Sequence, residues 1–142
     1  MTDAPTTLDA LFAAAVAARE RAYAPYSGFT VGAALITPDG AIHAGCNVEN
    51  AAYPVGACAE AGAISAMVAG GGRRIAAMLV VAGGEGLCTP CGACRQRIRE
   101  FAAPDTPVHV AGPEGLRRSF TLEQLLPASF GPDVLDAARS AP

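Results

Sequence analysis

The chain contains 142 residues, of which 51% are hydrophobic and 16% charged, with a formal net charge of -3 and a pI near 5.3. This length fits a single domain with one substantial core, because two independently folded halves would each be small. The acidic balance excludes the broad positive field that nucleic acids require, so we expect no nucleic-acid partner.

The first third of the chain predicts a helix followed by a β-hairpin. Apolar residues recur at helical spacing over residues 8–16, and Thr7 lies near the expected N-cap. Strands are predicted over residues 29–36 and 41–46, because a Pro-Asp-Gly turn lies between two short, mainly apolar runs.

The middle of the chain predicts a loop, a helix, a buried strand and a further helix. Residues 47–56 are polar without a clear period, which is typical of a loop. An alanine-rich helix is predicted over residues 58–69 and ends at three glycines. Residues 75–81 are apolar throughout, as in a central strand. The next helix opens at the segment Cys-Thr-Pro-Cys-Gly-Ala-Cys-Arg-Gln and ends near Phe101.

The last third predicts two weaker strands, over residues 107–111 and 116–120, and a short helix over residues 121–126. Thr121 is the expected N-cap of this helix. Glu123 is one residue too close to it for a capping box, so only the cap is predicted.

The order of these elements predicts an α/β fold in which a mixed sheet is covered by helices. We expect one domain over residues 1–136 and a flexible tail over residues 137–142. The sequence shows neither a secretory signal nor the ~18 uninterrupted apolar residues of a membrane span, so a cytoplasmic protein without membrane contact is expected. The mean hydropathy of +0.31 indicates apolar surface that is buried between subunits.

Three of the five cysteines, Cys88, Cys91 and Cys94, recur at a spacing of three residues. An odd number in a reducing compartment disfavours a disulfide framework. Thiolates at a helix start can bind zinc, and Pro90 before Cys91 fits such a start. The segment alone leaves open a redox pair of Cys91 and Cys94, a structural metal site, a catalytic metal site and buried thiols. A metal-binding pair of Cys88 and Cys91 is also formally possible.

The upstream segment Cys58-Ala-Glu60 favours the catalytic metal site. If Cys58 begins its own helix, its sulfur and the carboxylate of Glu60 can point into the region where Cys91 and Cys94 begin theirs. Three thiolate ligands would leave the fourth tetrahedral position to water, as a catalytic zinc requires. Glu60 is not a ligand in this arrangement, and it would move a proton between that water and a leaving group.

Further motifs extend the pattern over nearly the whole chain. They are YAPYSGFTVGAAL (23–35), GCNVENAAYP (45–54), CAE (58–60), PCGACRQ (90–96) and LLPASFGP (125–132). With these motifs the chain resembles the small cytidine deaminases that bind zinc through three cysteines. The resemblance implies a three-layer α/β/α sandwich with a mixed sheet of roughly five strands. It also implies one Zn²⁺ per subunit, bound by Cys58, Cys91 and Cys94, and a homotetramer.

The resemblance implies a substrate-binding role for several other positions. Phe29 would lie against the pyrimidine ring, because flat apolar rings stack well. Asn47 and Glu49 would hydrogen-bond the ribose hydroxyls. Tyr53 and Phe130 would reach the pocket of a neighbouring subunit. The implied substrate-binding residues are Phe29, Asn47, Glu49, Tyr53, Ala59 and Phe130.

The chain departs from the family pattern at one position. Many members carry an arginine directly after the catalytic glutamate, where this chain has Ala61. Three thiolates around Zn²⁺ leave a net negative charge that other groups must offset. Arg95, beside Cys94, is a candidate for this role together with the helix starts. The residues that we interpret as having no ligand role are Cys46, Cys88, His43 and His109.

The implied activity is the hydrolytic deamination of cytidine and deoxycytidine to uridine and deoxyuridine, with release of ammonia, in pyrimidine salvage. The nearest alternative is deamination of a modified cytosine nucleoside such as blasticidin S, although the segment Asn-Val-Glu-Asn favours a plain ribose. A nucleic-acid-editing deaminase is disfavoured by the acidic pI and by Cys58 in place of a histidine. More distant alternatives are a non-catalytic zinc-stabilised scaffold and a thiol-disulfide oxidoreductase.

Overall fold

The computed structural model describes residues 6–142, and its centre is one five-stranded sheet. The strands are β1 (Val31–Ile36), β2 (Ile42–Cys46), β3 (Ala77–Ala82), β4 (Pro107–Gly112) and β5 (Gly115–Thr121). Their order across the sheet is β2-β1-β3-β4-β5. The pair β3 and β4 runs parallel, whereas the other neighbouring strands are antiparallel. The predicted mixed sheet and its β1–β2 hairpin are therefore confirmed.

One helix precedes the strands, and the others lie between and after them. The helices are α1 (Thr7–Arg19), α2 (Ala59–Ala69), α3 (Gly92–Phe101), α4 (Leu122–Leu125) and α5 (Pro132–Ser140). A short 3-10 helix, Tyr53–Val55, interrupts the segment predicted as loop. Within residues 6–142, no helix combines the length and the apolar character needed to cross a membrane.

Side chains of the central strands alternate between two apolar layers. Ala33 and Leu35 of β1 pack in one cluster with α2 and α3, whereas Ala34 packs with α1 on the other face. β3 is buried along its whole length, which explains why its sequence shows no polar alternation. Because helices cover both faces of the sheet, the predicted three-layer α/β/α sandwich is confirmed.

Close packing of α2 against β2 sets the position of the first cysteine. Gly45 lies so near α2 that a Cβ atom there would be 2.5 Å from the backbone nitrogen of Ala63 and 2.6 Å from the carbonyl oxygen of Ala59. Only a residue without a side chain allows this approach. An alanine at position 45 would push the start of α2, where Cys58 is the N-cap, away from the sheet.

Two helix caps differ in detail from the predictions. The N-cap of α1 is Thr6 rather than Thr7, because Thr6 and Asp9 exchange hydrogen bonds in a capping box. The backbone N–H of Asp9 donates to Thr6 Oγ1 at 3.1 Å. Thr121 caps α4 as predicted, but it also forms a capping box with Gln124, three positions on, which the sequence analysis overlooked.

The end of the chain forms a helix that the sequence analysis did not predict. Gly131 is the N-cap of α5 and Pro132 its first residue, a favourable start because that position needs no N–H donor. Arg99 of α3 anchors this start through Asp133, with 2.8 Å between Nη2 and Oδ1. The predicted boundary after residue 136 falls inside α5, so residues 137–140 are helical. The mobility of residues 137–142 stays a prediction.

Candidate active site

Two helices begin close to each other, and both carry cysteines at that end. Cys58 is the N-cap of α2, whereas Cys91 is the N-cap of α3 and Cys94 lies in its first turn. Glu60 lies in the first turn of α2. Because backbone N–H groups at a helix start lack an intrahelical partner, this region favours negatively charged sulfur and oxygen atoms.

The sulfur atoms of these three cysteines have the spacing that a zinc ion requires. They lie within 4.8 Å of one another, and those of Cys58 and Cys91 are 3.8 Å apart. A tetrahedral zinc with Zn–S bonds of about 2.3 Å places its sulfur ligands about 3.8 Å apart. The donor set therefore fits zinc, and three sulfur ligands leave one tetrahedral position for water or substrate.

This geometry separates the alternatives for the cysteine segment. Cys88 lines the adjacent cavity but lies outside the cluster of three sulfurs, so the pair on this segment is Cys91 with Cys94. Cys91 is exposed, which does not fit a buried inert thiol. A redox pair needs only two thiols. The third thiol, from Cys58, and the nearby carboxylate of Glu60 therefore favour a metal site over a redox pair.

Burial and hydrogen bonds act in opposite directions on these thiols. Burial raises the pKa of Cys94 and that of Cys58 above the ordinary thiol value. Burial also opposes ionisation of Cys91, but hydrogen bonds from the backbone N–H and the thiol of Cys94 and from the thiol of Cys58 outweigh it and lower the pKa. Cys91 is thus the member of the cluster that most readily becomes a thiolate.

Glu60 is a buried carboxyl group beside this cluster, with only 5% of its surface exposed. Burial raises the pKa of Glu60 above its usual range. Hydrogen bonds from its own backbone N–H and from the Cys94 thiol, and then the positive charge of Arg97, oppose part of that shift. A carboxyl group with a raised pKa is suited to accept a proton and to return it. Glu60 lines the same cavity as Cys58 and Cys91, so it faces the space next to the candidate metal ligands.

The cavity has a volume of about 560 Å³, within the range of small-molecule sites. One part of the cavity wall is formed by the start of α2, the start of α3 and the loop before α3, and we call it the metal side. It consists of Cys58, Ala59, Glu60, Cys88, Thr89 and Cys91. Another part of the wall is formed by the loops around β1 and β2, and we call it the loop side. It includes Tyr26, Ser27, Asn47, Val48, Glu49 and Tyr53.

Asn47 lies on the loop side, where ribose contacts were predicted. Its amide also holds two backbone groups of the preceding segment. Nδ2 donates to the carbonyl oxygen of Phe29 at 2.8 Å, and Oδ1 accepts the N–H of Val31 at 2.8 Å. Phe29 itself is 46% exposed and does not line the cavity, so its predicted stacking on the pyrimidine stays a prediction.

Glu49 also lies on the loop side and binds the turn before β1. Its Oε1 accepts the backbone N–H of Tyr26 at 2.9 Å and that of Ser27 at 3.1 Å, and its Oε2 accepts the hydroxyl of Ser27. The hydroxyl and backbone N–H of Ser27 hold the pKa of Glu49 below its usual range. The carboxylate is therefore charged and oriented before any substrate binds.

The remaining predicted contacts are divided between the cavity and the surface. Ala59 is fully buried and lines the cavity. Tyr53 lines the cavity of its own chain, 5.8 Å from Tyr26 between ring centroids in an edge-on arrangement. Phe130 lies outside the cavity with 55% of its surface exposed. The reach of Tyr53 and Phe130 into a neighbouring subunit stays a prediction.

The two arginines that follow Cys94 have different partners. Arg95 donates to the carbonyl oxygens of Pro90 and Leu125, both at 2.7 Å, and to the hydroxyl of Thr89 at 3.0 Å. Arg97 donates from Nη1 to Cys94 Sγ at 3.5 Å. Arg95 was expected to offset the thiolate charge, but the direct contact with a sulfur of the cluster is made by Arg97, which lies three positions after Cys94 on the same helix face. Sequence reasoning missed Arg97, although its i+3 spacing from Cys94 was visible.

A mixed sheet covered on both faces, with three clustered sulfurs and a buried carboxyl group at two helix starts, is typical of zinc-dependent nucleoside and nucleobase deaminases. Comparisons with known proteins agree with this class. Residues 5–110 match the model described as the cytidine and deoxycytidylate deaminase zinc-binding region. The chain belongs to this deaminase family.

Individual relatives and solved structures show how far the similarity extends. A cytidine deaminase of Sporosarcina psychrophila is 45% identical over 131 residues, which cover 92% of this chain and 96% of the relative. A cytidine deaminase of Mycobacterium tuberculosis is 41% identical over 118 residues, 83% of this chain and 85% of the relative. The crystal structure of the Burkholderia pseudomallei cytidine deaminase superposes with a TM-score of 0.81 at 48% identity, covering 85% of this chain and 97% of that one.

Proposed function

We propose that this chain is a zinc-dependent cytidine deaminase that converts cytidine and deoxycytidine to uridine and deoxyuridine with release of ammonia. The observation that carries the proposal is that Cys58, Cys91 and Cys94 cluster beside the buried carboxyl group of Glu60 at one cavity. When bound, zinc supplies the Lewis acidity that makes a water molecule reactive at neutral pH. We assign one zinc ion to each subunit.

Glu60 carries the proton transfers in this reaction. Its carboxylate accepts a proton from the water that adds to C4 of the pyrimidine ring, and it delivers that proton to N3. It then accepts the proton of the new hydroxyl on C4 and gives it to the exocyclic amine, so that the bond between C4 and this nitrogen breaks, ammonia leaves and the C4 carbonyl of uridine remains. The raised pKa of Glu60 suits both steps, because the same group must hold and release a proton.

The loop side of the cavity holds the sugar. We assign the ribose hydroxyls to the remaining hydrogen-bonding capacity of Asn47 and of the Glu49 carboxylate, because both side chains line the cavity. A charged Glu49 favours a neutral sugar over a phosphate, so we assign nucleosides rather than nucleotides as substrates. We assign Ala59 to the cavity surface beside the base, and Phe29, which lies outside the cavity of the single chain, to stack on the base when substrate is bound. Arg95 holds the loop of Thr89 and Pro90 that leads to Cys91.

We assign a homotetramer in which neighbouring subunits complete each pocket. Large apolar side chains are exposed near the cavity, with Tyr26 at 51%, Phe29 at 46%, Tyr53 at 75% and Val55 at 67%. Exposed apolar groups grouped in this way mark an interaction surface. Phe130 and Tyr53 are the residues that we assign to a neighbour's pocket. The protein would act in the cytoplasm, in pyrimidine salvage.

The experiment that tests the proposal measures ammonia release from cytidine and deoxycytidine by purified protein of known zinc content. Glu60→Ala serves as the matched variant, because it removes the proton carrier and leaves the sulfur ligands. We expect turnover by the native protein and loss of about 10²–10⁴-fold or more in the variant, with zinc bound to both. Zinc-loaded native protein that leaves both nucleosides unchanged would overturn the substrate assignment.

A further inference from the structure

The candidate metal site carries more negative charge than a divalent ion can neutralise. Three thiolates and one Zn²⁺ have a net charge of about -1, and the carboxylate of Glu60 adds to it when ionised. Cys94 is fully buried, so solvent does little to stabilise a charge on its sulfur. A cation or further hydrogen-bond donors near this sulfur would lower the free energy of the loaded site.

Position 61, directly after Glu60, holds an alanine and supplies no charge. Arg95 is also committed elsewhere, because its Nε, Nη1 and Nη2 atoms donate to Pro90, Leu125 and Thr89. These contacts fix the loop that leads to Cys91. They do not bring the guanidinium into hydrogen-bond contact with a ligand sulfur.

Arg97, unlike Arg95, contacts a sulfur of the three-cysteine cluster. Its Nη1 lies 3.5 Å from Cys94 Sγ, within the range of a hydrogen bond to sulfur. Its charge also acts on Glu60, the other negatively charged group of the site. The residues lie three positions apart on α3, so the helix itself holds the guanidinium over the sulfur.

We propose that Arg97 is a positioning residue that offsets the negative charge of the three-thiolate site through its contact with the Cys94 sulfur, and so retains the metal. This inference rests on the proposed zinc site. Charge-assisted hydrogen bonds are about twice as strong as neutral ones, and partners that surround metal ligands typically change metal affinity about 10- to 100-fold. Because Arg97 is exposed and solvent screens its charge, we expect an effect near the lower end of that range.

The test compares zinc dissociation constants, measured by competition with a chromophoric chelator, for the native protein, three variants of Arg97 and one control variant. Arg97→Gln and Arg97→Met remove the charge and leave a side chain of comparable length, whereas Arg97→Lys keeps the charge. Arg139→Gln is the matched control, because it removes one positive charge from a side chain of α5 that is 79% exposed. Circular dichroism and thermal unfolding of the zinc-free proteins show whether each variant folds normally.

We expect the two neutral variants to bind zinc about 10-fold more weakly, Arg97→Lys to recover most of the loss, and Arg139→Gln to match the native protein. In cobalt-loaded protein, the thiolate-to-metal charge-transfer band should shift in the neutral variants and return toward the native position in Arg97→Lys. Native zinc affinity in Arg97→Gln would overturn the inference, as would equal losses in Arg97→Lys and Arg97→Gln. A native protein that binds no zinc would instead overturn the proposed metal site itself, and with it this role of Arg97.

Discussion

The metal side and the loop side of the cavity are built in different ways. The metal side lies at the starts of α2 and α3, whose inner residues share one buried cluster with β1 and β3. The loop side consists of segments outside the strands, where Tyr26 is 51% and Tyr53 75% exposed. In the proposed reaction, the core of this chain therefore fixes the groups that break the bond. The groups for holding a nucleoside depend on hydrogen bonds between loops and, in our proposal, on a second subunit.

The largest expected effect comes from removing a ligand on the metal side. Cys58→Ala should bind less than one zinc per chain and show no measurable deamination, because two thiolates and water hold zinc poorly. Its unfolding temperature should also stop rising when zinc is added, since a ligand stabilises only the folded state that binds it. Metal analysis, ammonia release and thermal unfolding measure the three results.

Cys46→Ala is the matched control for this variant, because Cys46 is a thiol outside the three-sulfur cluster. It should retain both zinc and turnover. Full zinc binding by Cys58→Ala would contradict the assignment of the metal side.

A smaller effect is expected on the loop side, and it should alter binding rather than chemistry. Glu49→Gln should raise KM for cytidine about 10- to 100-fold with little change in kcat, because hydrogen bonds to charged groups contribute about 1.5–3 kcal/mol. Steady-state kinetics measure both constants. Glu123→Gln, an exposed acid on α4, is the control. A large fall in kcat with unchanged KM in Glu49→Gln would contradict the assignment of substrate binding to the loop side and of chemistry to the metal side.

The smallest expected effect is the pH dependence of stability that Glu49 confers. The pKa of Glu49 is lowered by Ser27 in the folded chain, so the folded state binds its proton less readily than the unfolded state. The stabilisation is present above the ordinary carboxyl pKa and is lost as pH falls through the lowered value. Native protein and Glu49→Gln should therefore differ in unfolding temperature at neutral pH and converge in acid. A difference that stays constant down to strongly acidic pH would contradict this role.

Local sequence signals predicted the metal side well. Cys58, Glu60, Cys91 and Cys94 all lie within one turn of a helix start, so their placement follows from spacing and helix geometry. The strands were also predictable, because buried runs and a Pro-Asp-Gly turn leave few alternatives. The contact of Arg97 with Cys94 was also predictable, because residues three positions apart on a helix are neighbours.

Other features depend on contacts between residues that are distant in sequence. The hydrogen bond from Arg95 to the carbonyl oxygen of Leu125 joins residues 30 positions apart, so no local sequence pattern indicates it. The same is true of Glu49, which reaches back to Ser27. The helix α5 was missed because it is short and exposed, although Gly131-Pro132 gave a start signal that could have indicated it.

The central claim is that three sulfurs of this chain hold a zinc ion and leave one position open for chemistry. Zinc K-edge X-ray absorption of the purified native protein tests it most directly. We expect three sulfur neighbours at about 2.3 Å and one lighter oxygen or nitrogen neighbour at about 2.0 Å. Four sulfur neighbours would show a closed structural site that includes Cys88 or Cys46, and would overturn the assignment of an open position on the metal.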